Sequence, residues 1–351
     1  DFTYYKTDSR NQILKLATTA ASGYTSQVRN AGHIRNRGYE IQLGAVPIQT
    51  SKGFRWNLDL NYGANSSKVV KLDDEGLITS YQLYSSGIQI LASVSEAYGT
   101  LFGTSYVRDA NGNVVVDANG LPKISTTNKT LGKFTPDWTG GISNTFSYRS
   151  LSLSFLIDAS VGGSIFSNTN KTGKYTGVLA NTLSGRDAEH GGLWYYTDAM
   201  GNNVRLPESP SYSVSSDGLY YAQVNGQSTR VYQDGIMVEG VTESGSKNEE
   251  VVSAEKYYHR IYSIAEANVY DASYVKLREV ALSYRLPRLW TQKLHLQEAS
   301  VTLTGRNLWT IYKSVPNIDP ESALTTGNAQ GVEAYSLPTT RSFGVNLSVK
   351  F

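Results

Sequence analysis

From Arg341 to Phe351 apolar and polar residues alternate without a break. Phe343, Val345, Leu347, Val349 and Phe351 fall on one side, and Ser342, Gly344, Asn346, Ser348 and Lys350 on the other. A period of two predicts a strand with one apolar face and one small, polar face. Its length suits a tilted strand crossing a bilayer, which needs about 9 to 11 residues. The same pattern recurs over Gly38 to Ile48, where Tyr39, Ile41 and Leu43 oppose Glu40, Gln42 and Gly44. It recurs again over Phe54 to Tyr62, where Phe54, Trp56, Leu58 and Leu60 oppose Arg55, Asn57 and Asp59. Trp138 to Tyr148, Leu151 to Ala159, Tyr274 to Leu286 and Ala299 to Trp309 continue it, and Phe2 to Leu16 also reads as strand, which makes eight strands.

The connections decide between a soluble sandwich and a membrane wall. Those at 49–53, 149–150 and 287–297 are short, whereas those around 17–35, 67–137, 161–270 and 311–340 run to about 20, 70, 110 and 30 residues. With Phe351 at the periplasmic rim, every short turn falls on that side and every long loop on the other. This asymmetry is expected of an outer-membrane β-barrel, and nothing in a soluble sandwich demands it. The predicted fold is all-β, a transmembrane antiparallel barrel wall with long extracellular loops, in which Tyr39, Leu58, Leu347 and their neighbours face outer-membrane lipid.

One segment breaks the phase. In Tyr274 to Leu286, Val280, Leu282, Tyr284 and Leu286 share a face that also turns Lys276 and Arg278 outward. Either these cations sit among outer-leaflet phosphates, the preferred reading, or a bulge near Leu277 reverses the phase.

Composition narrows the class further. The 351 residues are 40% hydrophobic with a mean hydropathy of −0.33, and no apolar run approaches the length of a membrane helix. Glycine (32) and tyrosine (25) are abundant, as suits turns and interfacial aromatic belts. The absence of cysteine excludes a disulfide framework and any thiol chemistry. A net charge of +2, spread along the chain, gives no nucleic-acid footprint. The chain opens on Asp1-Phe-Thr-Tyr-Tyr5, already strand-like, which suggests a piece of a longer polypeptide.

Several motifs taken together carry a resemblance. Asp271 to Tyr284, Gly305-Arg-Asn-Leu308, Asp319-Pro-Glu321 and Leu337 to Leu347 are preceded in order by Asn30 to Glu40, Phe54-Arg-Trp56, Pro136-Asp-Trp138 and Asn248-Glu-Glu250. This combination resembles the C-terminal barrel of the SusC/RagA family of TonB-dependent transporters. The resemblance implies that 1–351 is the C-terminal part, about eight strands, of one roughly 22-stranded barrel domain filled by a plug. The plug and the earlier strands have no counterpart in the chain. It further implies import of oligosaccharides or peptides across the bacterial outer membrane, with a SusD-like surface lipoprotein as partner. Energy would reach the plug from the TonB complex. The alternative is a non-transporting structural or interaction barrel subunit of a surface complex.

Candidate chemistry is sparse. His33, His190, His259 and His295 are scattered, and no nucleophile elbow is present, so neither an enzyme, a metal site nor a cofactor is expected. Asp109 to Gly120 carries two Asn-Gly pairs whose spacing departs from a calcium loop and instead predicts hairpin turns. The longest loop holds Trp194, Tyr195, Tyr196, Tyr220, Tyr221, Tyr257 and Tyr258. These rings either form the loop's own core, pack against a partner, or stack on cargo.

Overall fold

A computed structural model of the protein describes residues 1–17, 23, 26–293 and 295–351. Eight long strands pair antiparallel in sequence order: β1 (Phe2–Ala17), β2 (Ser26–Gln49), β3 (Phe54–Lys71), β4 (Trp138–Tyr148), β5 (Leu151–Val161), β6 (Tyr274–Arg285), β7 (Glu298–Lys313) and β8 (Ser342–Lys350). They make one continuous wall that ends at β1 and β8 and does not close on itself.

The register carries the alternation across the whole wall. Leu43 stands opposite Leu60, Leu60 opposite Ile142, Ile142 opposite Ile157, and Ile157 opposite Leu277. A second row runs Leu153, Leu282, Leu303, Val345. Facing pairs share a side of a sheet, so these rows build one apolar face. The other face reads Arg55, Ser147, Ser152, Ser283, Thr302, Asn346, with hydroxyls paired between Ser147 and Ser152 and between Ser283 and Thr302. Asn144 is the polar exception on the apolar side. It is buried and accepts a 3.0 Å hydrogen bond from the Trp56 indole, while Phe146 stacks on the same indole. Satisfied and covered in this way, the amide escapes the cost of an unpaired polar group.

Two expectations need correction. The alternating stretches under-reach the strands, since β2 begins at Ser26 rather than Gly38 and β3 runs to Lys71 rather than Tyr62. Ladder pairing there continues between polar residues such as Asn36 and Ser67, where neither face needs an apolar pattern. The connection expected over 17–35 shrinks to 18–25, of which only residue 23 is described.

The second correction concerns Lys276 and Arg278, which do not point outward to phosphates. Register shifts between Leu277 and Glu279 on both sides of β6 mark a bulge. The extra residue keeps Leu277 and Val280 on the apolar face while Lys276 lies opposite Asp158 on the polar one. A smaller bulge in β2, between Ala45 and Ile48, accommodates Pro47, which has no N–H for the ladder.

The hydrophobic core lies in the loops and not in the wall. Residues 72–137 fold into a four-stranded sheet, and 162–273 contain a six-stranded sheet with the helices α1 (Asn168–Thr176) and α2 (Ala254–Tyr262). Ser164–Ser167 pairs antiparallel with Val269–Asp271 and parallel with Val332–Glu333, tying the second long loop to the third. Ile88, Ile90 and Leu101 of one loop meet Phe166 and Ala265 of the next and Val332 of the last in one buried cluster. The Glu333 carboxylate, fully buried, accepts from the Ser167 and Thr169 hydroxyls at 2.6 and 2.5 Å and from the Thr169 and Ser336 amides. This places a negative charge at the start of α1, where the helix dipole favours it. A short helix, α3 (Arg288–Lys293), fills the connection between β6 and β7.

Candidate functional site

Two arrangements in the long-loop end of the molecule bring polar chemistry together. The first follows from the β6 bulge. Lys276, only 2% exposed, donates to Asp319 at 2.6 Å and to Glu321 at 2.5 Å. Arg278 forms a two-pronged pair with Asp158 at 2.6 and 2.9 Å and also bonds Glu321. The Tyr274 hydroxyl donates to Glu321, and that of Thr339 to Asp319. Burial pushes the Asp319 carboxyl up, but the hydrogen bonds from Lys276 and Thr339 outweigh it and hold the group at about 2. Glu321 is likewise pulled below the usual carboxylate range, its burial outweighed by Arg278 and Lys276. Five charges on β5, β6 and the loop 314–341 thus clamp that loop onto the polar face of the wall.

The second arrangement is a cavity of about 690 Å³ between the loops 72–137 and 162–273. Tyr106, Val114 and Pro122 line it from one side, and Lys174, Ile236, Met237, Tyr257 and Tyr258 from the other. The two-turn region at Asp109 to Gly120 lies beside it. There the Asp109 and Asp117 carboxylates accept backbone N–H groups of their own turns, as the hairpin reading expected. Among the described residues no group of histidines and carboxylates is placed to hold a metal ion.

The aromatic candidates separate into two sets. Trp194 and Tyr195 are buried. Trp194 packs against Tyr212 and Tyr220 in a cluster that also takes Tyr196, Ala222 and Val231. Tyr195 stacks on Tyr232 at 5.1 Å on the opposite side of the sheet and donates to Asp234. Tyr221 lies half-buried beside Arg230 in the ladder. These five rings hold the six-stranded sheet together. Tyr257 and Tyr258, on α2, face the cavity instead. The Tyr258 hydroxyl reaches the Asn181 and Ser184 carbonyls at 3.1 and 3.0 Å, fastening α2 to the segment before the sheet. Tyr258→Phe is expected to loosen this corner by about 1 kcal/mol, seen as faster protease cleavage between residues 177 and 192 with the wall intact.

Sequence reasoning missed Lys174 and Tyr106, which join the cavity only through the fold of two distant loops. Asp319 and Glu321 stand in one of the sequence motifs, but nothing in their spacing pairs them with Lys276. The odd spacing of Leu277 and Val280 was the available signal for the bulge that makes that pairing possible.

No family model matches the chain. Over its whole length it is 25% identical to TonB-dependent receptor P3 of Formosa agariphila and 24% identical to TonB-dependent receptor P26 of the same organism. It spans 32% of each relative. Its fold superposes along the full chain on a third of a solved chain of the RagAB peptide importer in the closed-closed state, with a TM-score of 0.61 at 18% identity. A second solved structure, of the RagAB peptide transporter, gives 0.60 at 19%. The unclosed eight-stranded wall with its long loops is therefore homologous in sequence to TonB-dependent receptors and shares its fold with a third of a RagAB chain.

Proposed function

We propose that residues 1–351 form the C-terminal part of a single outer-membrane barrel domain in a TonB-dependent importer, and that this importer carries oligosaccharides or peptides into the periplasm. The observation that carries the reading is the apolar face that runs across the strands with Asn144 as its polar exception, backed by a polar face of serines, threonines and asparagines. Such a wall suits lipid outside and an aqueous lumen inside. The homology to receptors, not to enzymes, supports transport without chemistry on the cargo. A SusD-like lipoprotein over the long loops and a TonB complex acting on a plug complete the machine. Outer-membrane lipid surrounds the apolar face.

The loop 162–273 is the segment proposed to meet the lipoprotein or the cargo beneath it. Long folded loops on a rigid scaffold are where binding function concentrates. In the intact receptor, deletion of 191–258 is expected to leave the barrel inserted, because β5 and β6 keep their direct pairing, and to abolish uptake or co-purification of the lipoprotein. Normal uptake together with normal co-purification would show that this loop serves only itself. Loss of lipoprotein binding with no uptake detectable even in the wild type would favour a structural subunit of a surface complex.

A further inference from the structure

Lys174 is a buried cation without a salt-bridge partner among the described residues. It lies on the inner side of α1, 8% exposed, and its ammonium donates to the Ala267 carbonyl at 2.8 Å and to the Asn268 side-chain oxygen at 3.3 Å. Asn268 is itself fixed, its amide nitrogen donating to the Ile261 and Ile264 carbonyls. Two neutral acceptors leave the third N–H of Lys174 without a partner among the described residues. Such an arrangement is costly unless an anion completes it. Burial pushes the ammonium down to about 8, which keeps it charged at neutral pH.

Among the described residues no carboxylate forms a salt bridge with Lys174, although Asp234 and Glu255 line a neighbouring pocket together with it. Glu266 is bonded by Arg108 and Lys129, Asp234 accepts from Tyr195, and Glu239 is exposed at the rim of the cavity. Phenols lie on the same side of the fold as Lys174. Its nitrogen lies 5.3 Å from the Tyr270 ring, whose hydroxyl is buried with no hydrogen-bond partner among the described residues. The Tyr106 and Tyr257 rings share the 690 Å³ cavity with it. Leu193, Ile236, Met237, Val238 and Ile261 give the cavity an apolar wall, and Asn181, Ser184 and Glu239 add polar groups to the rest of its lining.

We propose that this cavity binds a small organic acid, with the Lys174 ammonium taking its carboxylate, the Tyr106 and Tyr257 hydroxyls donating to it, and the apolar wall receiving its body. A cation with hydroxyl donors in a concave, largely apolar space of small-molecule size is the chemistry that selects such a ligand. A carboxylate of this kind comes from two sources, an acidic sugar or the C-terminus of a short peptide. The proposal concerns binding alone, so its failure leaves the transport reading untouched.

Isothermal titration of the intact receptor in detergent tests it, with sodium glucuronate against glucose and N-acetyl-Ala-Phe against its C-terminal amide. One of the two acids is expected to bind at least about tenfold more tightly than its neutral counterpart, and which one does identifies the source. Lys174→Met should remove that preference, and Tyr257→Phe, which keeps the ring and deletes only the hydroxyl, should weaken the acid by about five- to tenfold. Equal binding of both acids and their neutral counterparts overturns the proposal, as does an unchanged preference in Lys174→Met. Should that variant fail to assemble, Tyr257→Phe decides alone, and undiminished acid affinity there overturns it equally.

Discussion

Lys276→Met in the intact receptor is expected to cost about 3 to 5 kcal/mol and to free the loop 314–341 from the wall. The size follows from what the substitution leaves behind. Asp319 is 7% exposed at its side chain and would retain only the Thr339 hydroxyl and the Glu321 amide as donors. An ion buried without its partner forfeits far more than the pair was worth. The companion double variant Lys276→Met/Asp319→Leu removes the stranded charge and should recover much of the loss, an outcome that a purely steric role for Lys276 does not give. Limited proteolysis of 314–341 and thermal unfolding in detergent both read it.

The same clamp has a defined pH dependence. Asp319 lies at about 2 in the folded protein against a reference of 3.8, so its depressed carboxyl contributes stability only where it is ionised. That contribution, about 2 kcal/mol, is complete above about pH 4 and vanishes as the pH falls toward 2. Glu321, shifted in the same direction, adds to the loss. Pepsin cleavage within 314–341 should therefore rise below pH 4 in the wild type and be high at every pH in Lys276→Met.

What the sequence disclosed and what it hid divide along a physical line. Where one face of a strand must be apolar, period two leaves a record, and β4 matches its expected bounds of Trp138 to Tyr148 residue for residue. Where a strand leaves that constraint, as β2 does between Ser26 and Arg37, pairing is held by backbone bonds and by local groups such as Asp8 with His33 and Arg35, which no periodicity announces. The bulge in β6 changes phase through a single residue, so rigid alternation puts Lys276 on the wrong face. The cavity is harder still. Lys174 and Tyr106 lie in loops whose meeting depends on contacts such as Ile90 with Phe166 and Val332, and of the two lysines in Asn168–Thr176 nothing local marks Lys174 as the buried one.

The apolar face yields the second large effect. Leu303→Arg is expected to destabilise insertion of the intact receptor by about 2 to 4 kcal/mol. Leu303 lies in mid-strand on β7, between Leu282 of β6 and Val345 of β8, and is 51% exposed on the side that carries no loop clamp. An arginine there has no acidic neighbour, because the ladder around it holds only apolar side chains, and its charge must sit in hydrocarbon or drag water to it. Thr302→Arg, one residue earlier, turns to the polar face beside Ser283 and Asn346, where water and hydroxyls solvate it, so insertion should be unchanged. Urea titration of the folded receptor in lipid vesicles compares the two. Equal costs at 302 and 303 would mean that the wall does not separate lipid from lumen, whereas a loss confined to Leu303→Arg fixes the apolar rows, and with them every strand in register, on the membrane side.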